Sequence, residues 1–223
     1  MVRARHDDAL APDNLKTQRM NDVIYETVVT TVDAAGRPHV APMGVRYQDN
    51  HIVLMPFKPS ATHDNITTTG HAVLNVVTDV RVFAGCVTGR RDWPTQPATQ
   101  IAGVRLGCAL GHVELRLARR IDDAQRPVLH MARVHEATHS TFPGFNRAQA
   151  AVIEAAVLVS RLHMLEPQKV TNEMTYLQIA IDKTADAPTR EAWGWLLEAV
   201  QQHQAAGNAA GDGSSKADHR MST

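Results

Sequence analysis

The stretch MPFKPSATHDN, residues 55–65, holds the densest set of groups in the chain suited to an anion. Lys58 supplies a point charge, and the Ser60 and Thr62 hydroxyls supply directed hydrogen bonds. They stand at the start of a predicted short helix over 60–69, whose free N–H groups and positive dipole end attract negative charge. Asn65 falls one turn after Thr62 on the same helix face. A phosphate held in a partly dry site needs such a set. The ordinary reading of these residues stays open beside it: Ser60 or Thr62 caps a helix and Lys58 is solvated.

A second motif competes. His135-Glu136-Ala137-Thr138-His139 matches HExxH, which on a helix turns both histidines one way to hold zinc, with the glutamate as general base of a hydrolase. Pro143-Gly144 breaks the chain within a turn, however, and no third ligand follows at the spacing such enzymes use. With 12 histidines in the chain a chance match is unremarkable. These histidines are therefore expected on a solvated helix face, and no metal site is assigned. His39, His51, His71 and His112 fall in strand-like stretches and read as hydrogen-bonded structural residues. There is no Ser-His-Asp arrangement and no GxxxxGK phosphate loop. Without GxGxxG, a nicotinamide would have to bind outside a Rossmann domain.

The elements that position the loop are mostly strands. VIYETVVTTVD (23–33), HVAPMGVRY (39–47) and HIVLMPF (51–57) are rich in β-branched residues and separated by short turns, which favours antiparallel hairpins. After the short helix, with Gly70 as its stop, comes the strand carrying Asn75. RVFAGCV (81–87) is apolar enough for a further strand, GRRDWPTQPATQIAG (89–103) reads as a long loop, and LGCALGHVELRLARRI (106–121) as one long strand. About six strands with little helix suggest a small Greek-key barrel. From 122 the period becomes helical: a helix over 125–139, then NRAQAAVIEAAVLVSRLHML (146–165), capped by Asn146, apolar nearly all round and ended by Pro167. Two amphipathic helices follow, over 172–185 and 189–203. The expected organisation is an extension over 1–20, with Met20 a candidate internal start, a barrel over 21–121, a helical domain over 122–203 and a disordered tail over 204–223. The fold class is α+β.

Lys plus Arg and Asp plus Glu balance at 23 each, so no global field steers the chain toward nucleic acid or an anionic membrane. No apolar run approaches the roughly 20 residues that span a bilayer, and no signal-peptide core opens the chain. Cys86 and Cys108 form no CxxC and suit a reducing compartment. A cytoplasmic protein is expected.

Several stretches together, ETVVTTVDAAGRPHVAPMGV (26–45), MPFKPSATHDN (55–65) and PGFNRAQAAVIEAAVLVSRL (143–162), resemble the flavin reductase-like FMN-binding split-barrel superfamily. Within it they are similar to a branch joining the barrel to C-terminal helices, some of whose members accompany pterin-dependent one-carbon metabolism. The resemblance covers about 21–202. It implies FMN as cofactor, a homodimer with flavin at the subunit boundary, and hydride or electron transfer to a small substrate, nicotinamide or pterin-like. A flavin carrier without turnover is the alternative. Carried over residue by residue, it places Met43, Gly44 and Val45 beside the isoalloxazine ring, and Pro56, Phe57 and Lys58 along the ribityl-phosphate path. Ser60, Thr62 and Asn65 would hold phosphate or ribityl oxygens, Asn75 belongs to the same pattern, and Arg147 would reach in from the helices. His63 and Asp64 stand where relatives carry a basic or acidic residue. Asp92-Trp93 sits in a loop that would either stack on the ring or be anchored by its aromatic. No residue stands out as an obligatory acid or base.

Overall fold

The computed structural model describes the backbone of residues 23–217 and the side chains of 23–207. The expected extension over 1–20 and the last residues of the tail, 218–223, lie outside this range.

Strands β1 (Tyr25–Val32), β2 (Pro38–Gln48) and β3 (His51–Leu54) form successive antiparallel hairpins. The first turn is held by the Asp33 carboxylate, which accepts from the N–H groups of Ala35 and Arg37. Gly36 takes the left-handed φ of +79° that this turn requires. Helix α1 (Ala61–Thr69) follows, capped by Ser60 and stopped by Gly70 at φ +75°, as its sequence predicts. β4 (His71–Val76), α2 (Arg81–Val87), the short β5 (Thr95–Pro97) and β6 (Val104–Leu106), then the long β7 (Gly111–Ile121) and β8 (Val128–Thr138) complete the β region. Six strands close into an antiparallel barrel in the order β1-β2-β3-β8-β7-β4, while β5 and β6 pair separately.

The barrel's interior is one apolar cluster drawing on all six strands: Val29, Val45, Ile52, Leu54, Ala72, Leu74, Val113, Leu115, Leu129 and Met131, with Ile66 of α1 packed in. Each such fully buried aliphatic contributes roughly 1.5–3 kcal/mol. A second core lies outside the barrel. Val28 and Val40 turn outward there to meet α2, α3 (Arg147–Val159), α4 (Pro167–Thr184) and α5 (Ala187–Ala217). The small residues Ala148, Ala151, Ala155 and Ala156 give α3 a buried face that lets its neighbours approach closely.

Several expectations are corrected. RVFAGCV is helix α2, not a strand. Five of its seven residues are buried, so it has no periodicity by which a helix could be told from a strand. Gly85 is what lets this helix seat against the next loop, since a Cβ there would stand 2.5 Å from the Trp93 ring. The helix expected over 125–139 is strand β8, which alternates Leu129 and Met131 into the barrel and pairs with both β3 and β7. A barrel ending at 121 would lack it. The count of six strands stands because β8 takes the place given to 81–87. The loop 89–103 contains β5, and the strand expected over 106–121 begins only at Gly111. Pro167 does not end the preceding helix, which stops at Val159; it is the first residue of α4, where its missing N–H costs nothing. α5 continues through 204–217, part of the tail expected to lack structure.

Candidate functional site

The loop between β3 and α1 is clamped to the β7–β8 turn. Lys58 N–H donates to the Gln125 carbonyl at 2.8 Å, and Lys58 Nζ donates to the Asp123 carbonyl at 3.2 Å. Arg126 Nε donates to the Met55 carbonyl at 3.3 Å, and its guanidinium lies 4.8 Å over the Phe57 ring. The turn itself is pinned by Asp123, whose carboxylate takes the N–H groups of Arg126 and Gln125 and is held below the usual carboxylate range by them. Two cations thus border the loop. Arg126 was not legible as a site residue, because only barrel closure brings 126 beside 55–58.

Ser60 is extended (φ −157°, ψ 147°), and its Oγ accepts from His63 N–H at 3.3 Å. The first-turn N–H groups of Ala61 and Thr62 have no intrahelical acceptor, as at any helix start. His63 Nδ1 pairs with Asp64 at 2.9 Å, whereas its Nε2 is buried with no partner among the described residues. Arg46, whose Nη1 meets Met55 Sδ at the start of the loop, likewise has a buried Nε without a partner, and so does Gln48 Oε1 two residues along β2. A buried polar atom left unpaired costs about 1–3 kcal/mol. His63 Nε2 and Arg46 Nε lie in and beside the loop, whereas Gln48 Oε1 lies at the other end of β3, opposite His51.

The predicted residues divide. Pro56, Phe57, Lys58 and Ser60 share the loop, with Pro56 buried and Phe57 exposed. Thr62 and Asn65 are buried, and Asn65 Nδ2 donates to Thr31 Oγ1 at 2.9 Å, tying α1 to β1. The Val45 side chain lies wholly inside the barrel, and Met43 packs on the same interior. At 43–45 a ligand could therefore meet only backbone. β2 pairs with β3 only from Arg46 onward, so among the described residues the β2 edge across from β1 has no strand partner at 43–45. Gly44 is already covered on its outer face, for a Cβ would stand 2.6 Å from the Ile24 methyl. Asn75 is fully buried away from solvent. Its amide nitrogen reaches Val28 O, Thr30 Oγ1 and Val73 O, and its oxygen takes Leu106 N–H at 2.8 Å. It ties the barrel to β6 and has nothing left to offer a ligand. Arg147 is exposed at the start of α3 beside Phe145, and Asn146 caps that helix. Trp93 packs on α2 at Gly85 and so anchors its loop.

On strand β8 the HExxH residues do not form the zincin arrangement. Strand alternation turns Glu136 away from His135, and it pairs with Arg133 at 3.5 Å. A cleft of about 640 Å³ between α2, α3 and α5, lined by Arg90, Leu162 and Trp195 among others, includes none of the predicted site residues.

Two family models match successive stretches of the chain. The model described as "Protein of unknown function (DUF447) N-terminal domain" matches residues 25–140, and the one described as "Protein of unknown function (DUF447)" matches 146–198. No curated protein matches. Among solved structures, the fold is similar to FMN-bound protein MM1853 from Methanosarcina mazei, also of DUF447, with a TM-score of 0.69 at 19% identity over 83% of this chain and 100% of that one. Flavoredoxin of Desulfovibrio vulgaris matches with a TM-score of 0.45 at 14% identity, over 58% of this chain and 77% of that one. The 2-nitrobenzoate 2-nitroreductase NbaA of Pseudomonas fluorescens matches with a TM-score of 0.45 at 20% identity, over 54% and 68%.

Proposed function

The chain belongs to the DUF447 family, and from that membership and the loop geometry we propose that it is an FMN-binding oxidoreductase. The observation that carries the reading is the loop over 55–63. Lys58 and Arg126 border it, the open N-terminus of α1 borders it too, and His63 Nε2 is buried there without a partner among the described residues. These groups suit the phosphate of FMN. The family member MM1853 was crystallised with FMN on the same fold, which supports the choice of anion.

A bound flavin would supply hydride or electron transfer, while the protein's part is to hold and orient it. Lys58, with Ser60 and the α1 N–H groups, would take the phosphate. The unpaired β2 edge at 43–45 would address the polar rim of the ring through backbone groups. The substrate is small, a reduced nicotinamide or a pterin-like ring, and the working unit is a homodimer with flavin at its boundary. The dimer is supported by Phe145, 100% exposed and in edge contact with the exposed Phe142, next to the exposed Arg147.

The test is an absorption spectrum of freshly purified protein, mass spectrometry of what heat releases, and light scattering on the same sample. Yellow protein releasing FMN, at twice the 24.4 kDa chain mass, is expected. Colourless protein that takes up no added FMN would overturn the reading. Stoichiometric FMN that neither NAD(P)H nor a reduced pterin reduces would instead favour a carrier.

A further inference from the structure

His112, Glu114 and His135 meet on the outer face of the barrel, where β7 and β8 pair. On β7, Val113 and Leu115 point inward, so His112 and Glu114 share the opposite face, and Glu114 lies directly across from His135. One ligand atom from each of the three lies within 4.8 Å of the others. Glu114 is 0% exposed and His112 3%.

The carboxylate is built in. Thr99 N–H donates to its Oε1, and the N–H groups of Gln100 and Ile101 donate to its Oε2 at 2.7 and 3.1 Å. These three N–H groups fix the carboxylate beneath the turn between β5 and β6, with two imidazoles beside it.

The spacing is informative. His112 Nε2 stands 3.3 Å from Glu114 Oε1, whereas a charge-assisted hydrogen bond closes to about 2.7–2.9 Å. Two ligands held about 2.0–2.2 Å from a tetrahedral ion stand roughly 3.3–3.6 Å apart. The other ring nitrogen of His112, Nδ1, is 2.8 Å from His139 Nε2. Metal-bound histidines characteristically have the second nitrogen held in this way, which sets the tautomer. We infer that His112, Glu114 and His135 form a binding site for a divalent first-row transition ion, with His139 positioning His112. Two imidazoles and one carboxylate suit zinc, cobalt or iron(II), and three protein ligands leave coordination positions open. The site is independent of the flavin loop, and it differs from the zincin pattern in using Glu114 rather than Glu136.

The experiment uses full-length protein without a histidine tag, stripped with chelator and titrated with Co²⁺ and then Zn²⁺. One Co²⁺ per chain is expected, with visible bands of low-symmetry coordination that Zn²⁺ bleaches, and Zn²⁺ should raise Tm. His135→Ala, at a half-buried position, should bind at least ~100-fold more weakly and lose the Tm gain. His139→Ala should bind roughly 10-fold more weakly. Glu136→Gln and His130→Ala, outside the cluster, should bind as the parent does. No uptake by the parent, or undiminished uptake by a folded His135→Ala, would overturn the assignment.

Discussion

Lys58 Nζ already rests on the Asp123 carbonyl and stands 3.7 Å from the Asp122 carboxylate, so a phosphate must compete with both for it. A charge-assisted hydrogen bond is worth about 1.5–3 kcal/mol, hence ~10–100-fold in affinity. Lys58→Ala is expected to weaken FMN by that factor and to leave riboflavin, which lacks the phosphate, within about twofold. Titration of both flavins by fluorescence quenching checks it, and equal losses would remove Lys58 from the phosphate site. Asn75 makes the opposite case. Its bonds to β1, β4 and β6 are structural, so Asn75→Ala strands the buried Leu106 N–H and should cost about 3 kcal/mol, a Tm drop of roughly 6–12 °C. Thermal melts test this, and FMN affinity of the folded variant should be unchanged.

At the scale of the element, the β1–β2 hairpin depends on one carboxylate. Asp33 is held below its ordinary value chiefly by the Arg37 N–H, helped by the Arg37 side chain and the Ala35 N–H. A depressed folded-state value means that the contribution is present above the unfolded value and is lost as pH falls through the folded one. Asp33→Ala should therefore lower Tm at pH 7, and the gap should close as pH falls past the ordinary carboxylate value. Melts of parent and variant across that range decide the point; a constant gap would mean that the carboxylate's charge is irrelevant to the turn. α1 is short, and its ends were legible in its own residues: Ser60 accepts from the first turn and Gly70 supplies the left-handed stop. β8 was not. Ala and His occur twice each in VLHMARVHEAT, beside single Met, Arg and Glu residues, and none of these carries a strong strand preference. Exposed Arg133 and Val134 next to inward Met131 mimic a helical period, and Val134, an extra residue of β8 between the partners of Glu114 and Leu115, blurs the alternation further.

In the whole molecule, barrel and helices are not separable bodies joined by a linker. Val28 and Val40 on the barrel's outer face belong to the same core as Ala155, Trp193 and Leu196. β8, which closes the barrel between β3 and β7, comes after residue 121. A chain ending at 121 is expected to show no cooperative unfolding by circular dichroism, because β3 and β7 each lose a partner. Cooperative melting of that fragment would mean that the remaining strands close without β8. Among the described residues no helix is long and apolar enough to cross a membrane.

What the sequence determined by itself was local. Turns and caps announce themselves through one or two residues, such as Ser60, Gly70, Asn146 and the Asp33–Gly36 turn, because their hydrogen bonds close within four positions. The donor set of 58–62, which the proposal assigns to a phosphate, was readable for the same reason. The tertiary structure decided everything that depends on who pairs with whom. It made 81–87 a helix and 128–138 a strand, brought Arg126 to the loop, turned Asn75 and Val45 away from any ligand, and set Glu114 across from His135. Such pairings join residues far apart in the chain, and their free energy comes from burial and strand ladders that no short window contains.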